Sequence, residues 1–245
     1  MKDFSNKSFL KVERLNKSFG GLMALCEVDF EIIEGEIFGV IGPNGSGKTT
    51  LFNVITGFLK ADSGKVTFME EDITGLHPHQ ICRKGIARIF QLVKPFAQLT
   101  VLANVMVGGM YGRNSTSDMG QAKEMSTEVL NFVGLKNKME VTAHQLTMAE
   151  RKRLELARAL AAQPQLLLLD ELMAGLNQAE TEIAMELVKR IRDSGITVIM
   201  VEHIMKAVLG ISDRIIVLNA GEKIAEGSPK EVMKNQLVIE AYLGK

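Results

Sequence analysis

The stretch Gly42-Pro43-Asn44-Gly45-Ser46-Gly47-Lys48-Thr49-Thr50 constrains this chain more than any other. It reads Gly, four residues, Gly, Lys, then Thr. Before it runs Glu36-Ile37-Phe38-Gly39-Val40-Ile41, an apolar run that reads as a buried strand. After it runs Leu51-Phe52-Asn53-Val54-Ile55, which reads as the start of a helix. Strand, glycine loop, helix is the context that makes this spacing a phosphate site rather than a turn with a chance lysine. The glycines let backbone N–H groups converge on one concavity, and the helix N-terminus adds partial positive charge there. Lys48, expected at the surface of the site, can reach β- and γ-phosphates, and Thr49 can place its hydroxyl on Mg²⁺. The glycine order does not fit a dinucleotide fold, which requires G-x-G-x-x-G.

The flanking pattern sets the fold class. Phe9 to Leu15 and Glu27 to Ile33 alternate apolar and polar residues, as half-exposed strands do, with Ser18-Phe19-Gly20-Gly21 between them. Ala61-Asp62-Ser63-Gly64 reads as a turn and Lys65 to Glu70 as a strand with Val66 and Phe68 on one face. His77 to Lys84 reads as a short helix with an early Pro78. Ile86 to Phe90 is a strand leading to Gln91. From Leu92 to Gln163 helical segments take over: Val101 to Met110, Gly120 to Val133 and Ala149 to Ala162. Strand signals return with Leu166 to Leu169 and Ile196 to Val201, apolar throughout, as parallel strands covered on both faces are. Gln178 to Arg192 is a helix between them. Asp213 to Asn219 and Glu222 to Ala225 close the sheet, and the capping box Ser228-Pro229-Lys230-Glu231 starts a terminal helix. The expectation is one α/β domain, 1–245, with a helical lobe at about 92–163.

Three further positions carry chemistry. Asp170-Glu171 closes a buried strand, where a carboxylate is poor core chemistry unless it meets a cation. In a nucleotide site that cation is Mg²⁺, held by Thr49 and Asp170. Glu171 is then placed to accept a proton from attacking water. His203 leaves the strand Ile196 to Glu202 at the position for touching a γ-phosphate. Gln91 can bind Mg²⁺ or orient water.

Composition narrows the partners. Lys plus Arg (29) balance Asp plus Glu (29), so no general pull toward nucleic acid is expected. Cys26 and Cys82 lack metal-ligand spacing and read as reduced core thiols. Met1 to Leu10 has no apolar signal-peptide region, and no apolar run approaches the roughly 18–20 residues that span a bilayer. The 14 methionines read as core packing.

Gly42 to Thr49, Gln91, Leu166 to Glu171 and His203, in this order, resemble the nucleotide-binding subunit of an ABC transporter over essentially the whole chain. The stretches Ser18 to Leu25, Gly85 to Gln91, Met173 to Asn177, Val201 to His203 and Val238 to Gly244 resemble the ATPase subunits of branched-chain amino-acid importers. The resemblance implies a P-loop NTPase with a RecA-like α/β core, an antiparallel β lobe and a helical lobe. It implies that Phe19 stacks on adenine, with a core aromatic as the competing reading. It implies a second ATPase subunit, identical or a close paralogue, joined head to tail over two ATP molecules. It also implies permease subunits seated near Gln91 to Leu99 on Leu92, Val93, Phe96 and Leu99, which places the protein at the cytoplasmic face of the membrane. The family's signature loop, Leu-Ser-Gly-Gly-Gln, corresponds to Leu146-Thr147-Met148-Ala149-Glu150, with both glycines gone. Thr147, Met148 and Ala149 are still expected to engage ATP across the dimer, on a helix capped by Thr147 and Glu150. Leu172, Asn177 and Gln178 also depart from the family pattern. Three alternatives stay open: a soluble ABC ATPase acting on nucleic acid or ribosomes, a lipid exporter's ATPase, and a nucleotide-binding regulator without turnover.

Overall fold

The computed structural model describes residues 8–92 and 94–243. Expectations for Met1 to Lys7, Val93 and Gly244 lie outside these residues. Two sheets organise the chain. The elements run β1 (Ser8–Phe19), β2 (Leu22–Ile33), β3 (Ile37–Ile41), α1 (Lys48–Ile55), β4 (Ser63–Phe68), β5 (Glu71–Asp72), α2 (Pro78–Arg83) and β6 (Ile86–Ile89). Then follow α3 (Val101–Tyr111), α4 (Met119–Phe132), α5 (Met148–Ala161), β7 (Leu166–Asp170), α6 (Gln178–Asp193) and β8 (Thr197–Val201). The chain closes with α7 (Met205–Ile211), β9 (Arg214–Asn219), β10 (Glu222–Gly227), α8 (Pro229–Val232) and α9 (Gln236–Leu243).

The larger sheet has the order β10-β9-β3-β8-β7-β6. Its strands from β9 to β6 are parallel, and β10 pairs antiparallel on the edge. Because side chains alternate along a strand, each apolar run feeds two cores. Ile37, Ile41, Leu167, Leu169, Val198 and Met200 pack into the core shared with α3, α5 and α6. Phe38, Val40, Leu166, Leu168, Ile199 and Val201 pack the other way, against α1 and the smaller sheet. That smaller sheet is antiparallel, with the order β2-β1-β4-β5. Phe30 of β2 stacks on Phe38 of β3 at 5.4 Å between centroids and joins the two sheets.

Several boundaries differ from the pattern. β1 and β2 extend to the tight turn at Gly20-Gly21, because edge alternation can continue through polar residues once paired. The helix α7 was not visible in the sequence. The terminal helix breaks into α8 and α9. Cys26 and Cys82 are free but half-buried, not core thiols. Met23, Met69, Met119, Met148 and Met233 are exposed, so core packing explains only part of the methionine content.

Candidate nucleotide site

The carboxyl ends of β3, β6, β7 and β8 lead into Gly42, Gln91, Glu171 and His203 respectively. In an open parallel sheet the crevice beyond the strand ends is where ligands bind. The alternating sheet therefore delivers all four expected positions to one rim.

The glycine loop is built close to its surroundings. At Gly42 (φ 152°) a side chain would collide with the Leu218 carbonyl, and at Gly47 (φ 105°) with the Ala24 carbonyl. Gly47 precedes α1 with no side-chain cap. The backbone N–H groups of Gly47, Lys48, Thr49 and Thr50 find no acceptor among the described residues, while Ser46 N–H is used by Pro43. Orphan N–H groups at a helix start, without acidic residues in the first turn, form an anion cradle. Asn44, Gly45 and Thr49 are exposed on it, Pro43 and Thr50 are half-buried, and Ser46 is buried beneath.

Lys48 differs from expectation. Its side chain is buried, and Nζ donates to the Gly42 and Pro43 carbonyls at 2.8 Å each. Burial pushes its pKa down, against the opposing charges of Glu171 and Asp170. A cation needs acceptors wherever it is desolvated, and its own loop supplies them.

Glu171 collects two of the predicted residues. Gln91 Nε2 donates to its Oε2 at 2.6 Å, and His203 Nε2 lies 2.7 Å from its Oε1. The backbone of Glu171 is left-handed at φ 52°, an uncommon state for a residue with a side chain. It is held there by its N–H on the Val201 carbonyl (2.9 Å) and by Lys152 Nζ on its own carbonyl (3.1 Å). The carboxylate of Asp170, expected to meet a cation, meets one within the chain: Arg88 Nη2 lies 2.6 Å from Asp170 Oδ2. Phe19 is exposed at the end of β1, beside Lys17 Nζ at 5.6 Å, and is not a core aromatic.

A profile of the ABC transporter family matches residues 25–174. This chain belongs to that family. A second profile, of the branched-chain amino acid ATP-binding cassette transporters, matches residues 222–245. LivG of Salmonella typhimurium, a high-affinity branched-chain amino acid transport ATP-binding protein, is 40% identical across 98% of this chain and 99% of its own length. BraF of Pseudomonas aeruginosa, of the same description, is 37% identical with the same coverage. The ADP conformation of MJ1267, an ATP-binding cassette of an ABC transporter, has a TM-score of 0.90 at 33% identity, over 98% of this chain and all of that one. A dimeric cassette, MJ0796, bound to ADP and Pi, has a TM-score of 0.80 at 27% identity, over 90% of this chain and 98% of that one. The fold is the ABC ATPase fold, as expected, and the chain is an ABC ATPase.

The cassette's altered signature loop keeps its cap. Thr147 Oγ1 accepts the Glu150 N–H at 3.3 Å, and Glu150 Oε2 accepts the Thr147 N–H at 3.0 Å. The Thr147 N–H bond, with Lys138 beside it, holds the Glu150 carboxyl below its usual pKa. Asn177, where the family has aspartate, caps α6 with Glu180 in the same way. Thr147 and Met148 are exposed and Ala149 is half-buried. No hydrogen bond or ion pair among the described residues joins Thr147–Ala149 to Gly42–Thr50. The cassette thus brings Lys48, Gln91, Glu171 and His203 to one rim and leaves the signature loop apart.

Arg88, Lys152 and Glu202 also belong to the site, although no motif marks them. Glu202 is buried, accepts the Met173 N–H at 2.8 Å, and is pushed up to about 7 by burial. The signal was available for Arg88 and Glu202: each is a charge inside or at the end of an apolar strand. Lys152 carried no such mark, because a lysine on an amphipathic helix reads as solvated.

Proposed function

We propose that this chain is the ATP-hydrolysing subunit that powers a membrane importer of branched-chain or other hydrophobic amino acids. The observation that carries the site reading is the Glu171 carboxylate, held between Gln91 and His203 at the rim where four strand ends meet. In this reading 1–245 is a single nucleotide-binding domain with a helical lobe at about 92–163. The Gly47 to Thr50 N–H groups and Lys48 hold the phosphates, with Gly42, Pro43, Asn44, Gly45 and Ser46 shaping the cradle and Phe19 facing adenine. Glu171 takes the proton of the attacking water, and His203 touches the γ-phosphate. Lys48 leaves the Gly42 and Pro43 carbonyls to do its part.

Mg²⁺ fits the donors present: the Thr49 hydroxyl, the Asp170 carboxylate and the Gln91 amide oxygen are hard oxygen ligands. Among the described residues no group of three or more His, Cys, Asp or Glu could cage a metal. That suits an ion held by one carboxylate, a hydroxyl and nucleotide oxygens. When bound, the metal neutralises charge on the transferring phosphate.

A second cassette, identical or paralogous, supplies Thr147, Met148 and Ala149 to the opposite site. No helix among the described residues is long and apolar enough to cross a membrane. Attachment to the cytoplasmic face would come through permease subunits. A cleft of about 830 Å³ opens beside the site, lined by Thr49, Gln91 and Asp170 and by the exposed Phe58, Phe90 and Leu92. This apolar rim is the proposed permease seat. Of the residues expected there, Leu92 lines the cleft; Phe96 and Leu99 are exposed outside it. Phe96 instead carries Arg158 at 4.9 Å, and its loop is tied to the buried Asn104.

Reconstitution with its permease and binding protein in liposomes tests the reading. ATP-driven accumulation of labelled leucine or isoleucine is expected. Lipid extraction without uptake would replace import by export, and turnover only on nucleic acid or ribosomes would remove the membrane from the reading.

A further inference from the structure

Arg88 occupies a position that an apolar strand would not give to a charge. On β6, Ala87 and Ile89 pack into one core and Ile86 into the other. Alternation therefore turns Arg88 toward the α1 side, with Ile86. Its partner in register on β7 is Leu168, fully buried, and two residues beyond Leu168 on the same face comes Asp170. The two side chains are only 5% and 7% exposed, and they meet at 2.6 Å through Nη2 and Oδ2.

The guanidinium is fixed from the other side as well. Nη1 donates to Asn53 Oδ1 at 2.7 Å and lies 3.4 Å from Thr56 Oγ1. The rings of Phe52 and Phe90 stand 5.5 and 4.7 Å from its central carbon. Its Nε is buried without an acceptor. A buried ion pair with an orphaned donor is a poor way to stabilise a strand, since apolar residues of similar volume often do better. The pair is better explained by what it does to Asp170. It occupies Oδ2, whereas no described residue donates to Oδ1.

We infer that Arg88 is a positioning residue for Asp170: it fixes the carboxylate through Oδ2, presents Oδ1 to the metal, and by its own charge moderates how tightly Mg²⁺ is held. This rests on the reading of Asp170 as the metal carboxylate. The electrostatics follow from proximity. A buried guanidinium on one carboxylate oxygen lowers the negative potential at the other, and little water intervenes to screen it. A lone buried carboxylate would hold a divalent cation more strongly and would be poorly stable without it. Arg88 thus keeps the carboxylate in place through both arrival and departure of the metal with nucleotide.

The test is Mn²⁺ binding to the full chain at saturating ADP, read by electron paramagnetic resonance, beside melting temperatures in EDTA. Arg88→Met should bind Mn²⁺ at least about threefold tighter, melt lower in EDTA, and regain most of that loss with Mn²⁺ and ADP. Arg88→Lys, which keeps the charge, should stay within about twofold of the parent affinity. Equal or weaker Mn²⁺ binding by Arg88→Met overturns the inference, because the guanidinium charge would then not be what limits the metal's affinity. Asp170→Asn separates the two levels: if it leaves Mn²⁺ affinity unchanged, the metal-site reading itself fails. Should Arg88→Met not fold, Arg88→Gln, which keeps a donor for Oδ2 without the charge, takes its place: tighter Mn²⁺ binding supports the inference, and equal or weaker binding overturns it.

Discussion

The glycine loop and the signature loop each open a helix, and they open it in opposite ways. At α1 the residue before the helix is a glycine without a side-chain cap, the first turn has no acid, and the N–H groups of Gly47 to Thr50 are unclaimed. At α5 the Thr147 hydroxyl and the Glu150 carboxylate already satisfy each other's backbone. The difference shows how one local motif serves two ends. An uncapped N-terminus is unstable by itself and receptive to an anion, whereas a capped one is stable and half spoken for. Among the described residues of that first turn, only the N–H groups of Met148 and Ala149 are left without an acceptor. Helix α5 reaches the rim only further along, where Lys152 donates to the Glu171 carbonyl.

The largest effect that would sharpen this contrast is at Glu171. Glu171→Gln should slow hydrolysis by roughly 10²–10⁴-fold while MgATP still binds, and ATP should lock a dimer detectable by size-exclusion chromatography. A monomeric variant hydrolysing at the parent rate would break it. Next comes Lys48→Ala, which should abolish measurable ATP binding by isothermal titration. Because Lys48 is buried on two carbonyls, its loss should also lower apo stability by about 1–2 kcal/mol, roughly 3–6 °C of melting temperature. An unchanged apo melting temperature would mean that the Gly42 and Pro43 carbonyls do not depend on it.

The third prediction concerns Glu202, which accepts the Met173 N–H two residues beyond Glu171. Glu202 has its pKa raised from 4.5 to about 7 by burial. Between these values the folded protein holds a proton that the unfolded chain has released, so stability falls as pH rises through this window and levels off above it. The 2.5-unit difference corresponds to about 3 kcal/mol. Denaturant melts at pH 5 and pH 8 should show most of that loss in the parent and not in Glu202→Gln. Equal loss in both would remove Glu202 from the account. The smallest effect is expected at the signature loop: Thr147→Ala should cost about 1 kcal/mol as a lost cap, and should lower ATPase activity well beyond that. A folded variant with parent turnover would make the loop structural only.

How much of this was legible depended on distance along the chain. β3, β7 and β8 were readable because every residue in each is buried and the apolar run says so. The caps at Thr147 and Ser228 were readable because a capping box is complete within four residues. The pairing of Arg88 with Asp170 spans 82 positions, and no local pattern announces its partner. The burial of Lys48 is hidden for a related reason: the motif describes the lysine toward phosphate, and its alternative acceptors are backbone atoms that any sequence supplies. Helix α7 was missed because its seven residues, Met205 to Ile211, follow directly on the His203 turn and include Gly210. The break between α8 and α9 falls in Met233-Lys234-Asn235, where no proline or glycine marks it.

The left-handed backbone of Glu171 has a consequence for anyone who improves this protein by selection. Asparagine or glycine occupies that conformation at lower cost than glutamate. A library screened for heat resistance alone would therefore tend to drift away from glutamate at this position and, on the reading of Glu171 as the base, return hardy proteins that no longer turn over. Activity has to be part of the screen from the first round.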